Sequence, residues 1–89
     1  MPKRKESVAQ TISRAIHLCG KTNREVAAEA GFPKPNLISM LKSGATRVPL
    51  GRVHRLALAV DLDPAELLEQ CFREYEPETW DAIEELLLK

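Results

Sequence analysis

Aromatic residues are scarce in this chain: one Trp, one Tyr and two Phe among 89 residues. With Leu, Ala and Glu abundant instead, the composition favours helices throughout, and no alternating strand pattern competes with them. No stretch of ~20 uncharged apolar residues occurs, which excludes a membrane span. The basic start, Met-Pro-Lys-Arg-Lys-Glu, is followed by no apolar segment, so no signal peptide is expected. Cysteine is limited to Cys19 and Cys71, both in apolar helical settings, and they read as reduced thiols rather than a disulfide framework. His17, Cys19, His54 and Cys71 carry metal-capable atoms, but no CxxC or HxxxH spacing gathers them and no metal site is expected. No Ser/His/Asp or Cys/His nucleophile arrangement and no Gly-rich phosphate loop occurs, so neither an enzyme nor a bound cofactor is expected.

Net charge is also absent, with 13 Lys/Arg against 13 Asp/Glu, but the balance hides a division. Residues 1–55 hold eleven of the basic residues and only Glu6, Glu25 and Glu29, a surplus of eight positive charges. Residues 56–89 hold Arg73 and Lys89 against ten acids, a surplus of eight negative charges. Such asymmetry suits a polyanion-binding front joined to an acidic back, although a solvated charge gradient without a partner gives the same totals.

Helical periodicity defines six segments. Residues 7–19 place Val8, Ile12, Ala15, Ile16 and Cys19 on one face, with Ser7 as N-cap and Gly20 as stop. A second segment, about 24–30, is capped by Thr22 or Asn23, buries Val26, Ala27 and Ala30, and breaks at Gly31. The third begins near Pro33 or Lys34, tolerates Pro35 in its first turn, and reaches Leu41 with Leu37, Met40 and Leu41 inward. Pro49 opens a fourth, burying Val53, Leu56, Ala57 and Val60. Asp63-Pro64-Ala65-Glu66 reads as an N-cap, a proline at the first helical position and an acid in the first turn. The fifth segment then buries Leu67, Leu68, Cys71, Phe72 and Tyr75. After the break at Glu76-Pro77 a sixth, about 78–88, projects Trp80, Ile83, Leu86 and Leu87. The fold class is a compact all-α domain.

The spacing within Asn23–Leu41 is that of a helix-turn-helix. Counting Asn23 as position one, Val26 is at four, Ala27 at five, Gly31 at nine, Phe32 at ten, Leu37 at fifteen and Met40 at eighteen. Two helices crossing over a short turn need a small side chain where their backbones approach, hence Ala27. They need a residue that accepts positive φ in the turn, hence Gly31. Apolar residues at fifteen and eighteen seat the second helix on the core, leaving its other face free to enter a major groove about 12 Å wide.

With "TNREVAAEAGF", "NLISMLKSG" and "VPLGRVHRLALAVDLDPAELL", the chain resembles the Cro and phage-repressor-like (Xre) helix-turn-helix family over about residues 7–69. The resemblance implies a five-helix lambda-repressor-like DNA-binding domain, here carrying an additional C-terminal helix, in a cytoplasmic protein of bacterial or phage origin. It implies a sequence-specific, double-stranded-DNA-binding transcriptional regulator, a repressor that binds an inverted repeat as a homodimer. Carried over by position, Asn23 and Arg24 open the second helix, where the family usually has Gln on a phosphate. Lys34, Pro35, Asn36 and Ser39 fall at base-facing positions: Lys34 for guanine O6/N7 or a phosphate, Asn36 for adenine, Ser39 for either kind of edge. Lys42, Ser43, Thr46 and Arg47 follow as backbone contacts. Residues 1–6, with Lys3, Arg4 and Lys5, form a basic arm that adds salt-sensitive attraction.

Three departures from the family bear on the reading surface. Pro35 stands where a base-reading polar residue, often Gln, is common, and offers only apolar contact. Leu41 and Ile16 occupy positions that often hold a Glu and a basic partner, an apolar exchange compatible with the same packing. "MLKSG" has one more residue before its Gly than the commoner spacing. The resulting organisation is an arm (1–6), a helix-turn-helix domain (7–76) and a C-terminal helix (77–89) whose Trp80, Ile83, Leu86 and Leu87 are expected to dimerise the protein, or else to fold back onto the core. An antitoxin-type protein-interaction module, binding a partner protein through the acidic C-terminal half, is the alternative reading.

Overall fold

The structure is a computed structural model that describes residues 6–88. Its elements run α1 (Val8–Cys19), α2 (Asn23–Ala30), α3 (Pro35–Ser43), a single 3-10 turn (Leu50–Arg52), α4 (Val53–Ala59), α5 (Pro64–Tyr75) and α6 (Pro77–Leu87). Among the described residues there is no strand.

Local chemistry sets most of the boundaries. Ser7 and Gln10 form a reciprocal capping box at the start of α1, and Thr22 and Glu25 form another at α2, each pairing backbone N–H groups that have no partner inside the helix. The Thr22 N–H holds the Glu25 carboxyl below its ordinary pKa. Asp63 accepts from the N–H groups of Ala65 and Glu66, at 2.8 and 3.3 Å, to open α5. Asp63→Ala is expected to lower unfolding stability by about 1 kcal/mol, measurable as a shift in the urea midpoint at unchanged m-value.

At the end of α2, Gly31 adopts φ +81°, and a Cβ there would run into the Arg55 guanidinium, which donates from Nη2 to the Glu29 carbonyl at 3.1 Å. The positive φ favours glycine at this turn; the Arg55 guanidinium, the far end of a flexible side chain, could move aside for a Cβ. The turn continues through Phe32, Pro33 and Lys34. Lys34, preceding a proline, is extended at φ −140°, ψ 140°, so α3 starts at Pro35, later than its expected start at Pro33 or Lys34. Which residues of α3 face inward is set by its packing on α1 and α2. Ile38 and Leu41 are buried at 0% and 2% exposure, whereas Met40 is 37% exposed and Leu37 is only half-buried. The inward pair is therefore Ile38 and Leu41, in place of Leu37 and Met40.

The core joins Val8, Ile12 and Ile16 of α1, Val26 and Ala30 of α2, and Ile38 and Leu41 of α3 to Val53, Leu56 and Val60 around α4 and to Leu67 and Cys71 of α5. α2 packs on α3 and α4, α1 on α3 and α5, α4 on α5, and α6 on α5. Leu68, expected inside, is 38% exposed, because the buried face of α5 runs through Leu67 and Cys71, one turn apart. α1 is tied to α5 by polar bonds as well: the Val8 N–H donates to Glu74 Oε1 at 2.8 Å, and Gln70 Nε2 donates to Thr11 Oγ1 at 2.9 Å. Both cysteines are free, Cys71 buried and Cys19 partly so.

Candidate nucleic-acid interface

With Ile38 and Leu41 turned inward, α3 presents Asn36, Ser39, Met40 and Ser43 to solvent, positions i, i+3, i+4 and i+7 of one helical stripe. Of the expected base-facing residues, Asn36 and Ser39 lie on this stripe. Lys34 is exposed but precedes the helix as its N-cap, and Pro35 is half-buried as the first helical residue. Met40 joins the stripe although sequence spacing assigned it to the core. Helical spacing alone does not separate Met40 from Leu41, because each has an apolar residue three positions before it.

The two helices are locked together on this face. Asn23, the first residue of α2, donates from Nδ2 to Ser39 Oγ at 3.0 Å and accepts from Lys42 Nζ at 3.3 Å. Three of the expected contact residues, from both helices, thus form one hydrogen-bonded cluster. Arg24 is exposed beside it at the start of α2, where backbone N–H groups face outward and favour an anion. Beyond α3, Ser43 Oγ accepts from the Ala45 N–H at 3.3 Å. Gly44 reverses the chain in the left-handed region at φ +81°.

The loop that follows carries Thr46, half-buried, and Arg47, exposed. Its far end is fixed from α5. The Val48 N–H donates to the Tyr75 hydroxyl at 3.0 Å, and the Arg47 guanidinium sits 5.1 Å from the Tyr75 ring centre, within cation–π range. Burial raises the Tyr75 phenol above its ordinary pKa, so it stays protonated at neutral pH. Sequence reasoning placed Tyr75 only in the core; a bond between residues 27 apart leaves no local pattern to find.

Electrostatics separate this surface from the rest. Among the described residues, ion pairs occupy Arg14 with Glu6, Lys21 with Glu29, and Arg73 with Glu69 and Glu84. None involves Arg24, Lys34, Lys42 or Arg47. Lys3, Arg4 and Lys5 lie outside the described residues. The acidic half is carried largely by α5 and α6. Trp80 there is 9% exposed, its ring 6.2 Å from Phe72 and overlain by Arg73 at 5.4 Å. The Trp80 side chain is thus enclosed by its own chain. Ile83 is half-buried, while Leu86 and Leu87 are 77% and 75% exposed. Among the described residues no three His, Cys, Asp or Glu side chains cluster as metal ligands, and no helix is long and apolar enough to cross a membrane.

Two helices crossing over a glycine turn, the second with one face in the core and the other exposed, near cations that form no ion pair among the described residues, are the form of a helix-turn-helix DNA-binding domain. A family model for the Cro/C1-type HTH DNA-binding domain matches residues 11–70, from within α1 to within α5. The chain belongs to this family of DNA-binding regulators. α6 lies outside the matched span. No curated protein and no solved structure matches the chain.

Proposed function

We propose that the protein is a sequence-specific repressor that occupies an inverted repeat in double-stranded DNA as a homodimer, with α3 in the major groove. The observation that carries this reading is the exposed polar stripe of α3 in a helix-turn-helix that also carries Arg24, Lys34, Lys42 and Arg47, none of which forms an ion pair among the described residues. In this reading Asn36 and Ser39 address base edges, and Met40 supplies apolar contact to a thymine methyl. Lys34 and Pro35 border the groove at the start of α3. Asn23, Arg24, Lys42, Ser43, Thr46 and Arg47 hold phosphates, and the arm of residues 1–6 adds non-specific attraction. The site of action is the cytoplasm of a bacterial cell. Anisotropy of a labelled duplex titrated at several salt concentrations tests the reading: a steep inverse dependence of affinity on salt supports it, and a flat one contradicts it.

The dimer is assigned to α6. Leu86 and Leu87, exposed near the end of a helix that the family domain does not include, are a surface that a second copy would cover in an isologous contact, bringing two recognition helices about 34 Å apart. Leu86→Asp with Leu87→Asp is expected to yield a monomer by sedimentation velocity, with operator affinity reduced by more than tenfold through loss of the second half-site. A wild-type chain that is already monomeric at micromolar concentration would instead favour the protein-partner reading, in which the same acidic, leucine-bearing helix docks on another protein.

A further inference from the structure

We infer that Tyr75 is a positioning residue for DNA binding, holding the loop after α3 so that Arg47 is preset for a phosphate. The inference rests on the DNA-binding reading, and it extends the interface to a residue that touches no DNA. The loop leaves α3 through the left-handed Gly44 and reaches the turn at Leu50–Arg52, and such connections are mobile unless tied down. Here the tie is double. The Val48 side chain is 2% exposed, which anchors the backbone on the core. Its N–H is taken by the Tyr75 hydroxyl at 3.0 Å, which fixes the orientation of the peptide joining Arg47 to Val48.

The same aromatic ring then receives the Arg47 guanidinium at 5.1 Å. A long, rotamer-rich cation held in one place loses less freedom when it meets a phosphate than one that samples solvent. Among the described residues no carboxylate pairs with Arg47, and a ring face attracts a cation without cancelling its charge. Tyr75 is also the last residue of α5, immediately before the break into α6. The same contact therefore couples the DNA-facing loop to the C-terminal hairpin.

The test is a double-mutant cycle on the full chain, using a labelled mixed-sequence duplex and reading the slope of log affinity against log salt. Tyr75→Phe keeps the ring and removes the hydroxyl; Arg47→Ala, at an exposed position, removes the cation. Measurements are made well below the thermal midpoint of each variant, with far-ultraviolet circular dichroism as the check on folding. The expected result is a several-fold loss of affinity for each single variant, with the slope falling by about one unit for Arg47→Ala and by part or all of that for Tyr75→Phe. The double variant should then be no weaker than Arg47→Ala alone, because the hydroxyl acts through the arginine. A wild-type slope for Tyr75→Phe, or losses that multiply fully in the double variant, would overturn the inference while leaving the DNA reading intact. Absence of salt-dependent binding by the wild-type chain would overturn both.

Discussion

Replacing Ile38 by Ala is expected to lower unfolding stability by about 2–5 kcal/mol, whereas Met40→Ala, two residues along the same helix, should cost less than about 1 kcal/mol. Ile38 is fully buried at 0% exposure, among the largest side chains enclosed in the core. Truncation there removes apolar contacts and leaves a cavity that the close-packed core closes only in part. Met40 is 37% exposed and leaves no comparable void. A domain of this size holds roughly 5–15 kcal/mol in total, so Ile38→Ala should move the thermal midpoint by ten degrees or more, at about 4–8 °C per kcal/mol. Urea unfolding of the two variants side by side checks the prediction. The opposite order, with Met40→Ala severe and Ile38→Ala mild, would mean that α3 sits one residue earlier and presents a different face.

The second large effect is on binding. Lys34→Ala, Lys42→Ala and Arg47→Ala combined should lower the salt slope of DNA affinity by nearly three units. At about 0.1 M salt this corresponds to a loss of roughly two to three orders of magnitude, since each phosphate contact contributes about 0.9 of a unit. The loss should be nearly equal for all duplex sequences, because phosphate contacts carry no sequence information. Lys42 differs from the other two in that its Nζ is bonded to Asn23 Oδ1 at 3.3 Å. Its removal also loosens the link between α2 and α3, and the Lys42 single variant should therefore change base preference slightly as well as affinity. By contrast, Asn36→Ala should relax discrimination at one base pair by about 1–3 kcal/mol with little change in slope. Anisotropy titrations of the three variants against matched and mixed-sequence duplexes separate the two patterns.

Much of this architecture was legible in the residues themselves, and the failures share a cause. Ser7 and Asp63 were readable as caps because each has a local partner within three residues, while at α2 the sequence left Thr22 and Asn23 open and the capping box with Glu25 selects Thr22. Gly31 was readable as the turn because only glycine suits its backbone. The apolar faces of α1, α2 and α4 followed from helical period alone. The inward face of α3 did not, because Leu37–Met40 and Ile38–Leu41 are both apolar pairs at the right spacing, and only the packing of α3 on α1 and α2 decides between them.

Tertiary packing decided the rest. Leu68 resembles its neighbour Leu67 in every local respect, and only the placement of α5 against α1 and α4 exposes one and buries the other. Trp80 was assigned to dimerisation on its size and position, yet its ring closes against Phe72 of the preceding helix, so the assignment of an interface to α6 rests on the exposed leucines. The Tyr75 bond to Val48 joins elements on opposite sides of α4, where no local signal reaches. Asn36 and Ser39, expected on the outer face of the helix from the family pattern, are exposed on α3, and Met40, expected inside, is exposed beside them.

The central claim is that the bare face of α3 reads duplex DNA, and it is tested most directly by selecting bound fragments from a random duplex library and sequencing them. The account predicts an enriched short motif repeated in inverted orientation, with half-site centres about one helical turn apart, and loss of one half-site position when Asn36→Ala is selected in parallel. A library that emerges unenriched, or a motif that Asn36→Ala, Ser39→Ala and Met40→Ala together leave unchanged, would contradict it.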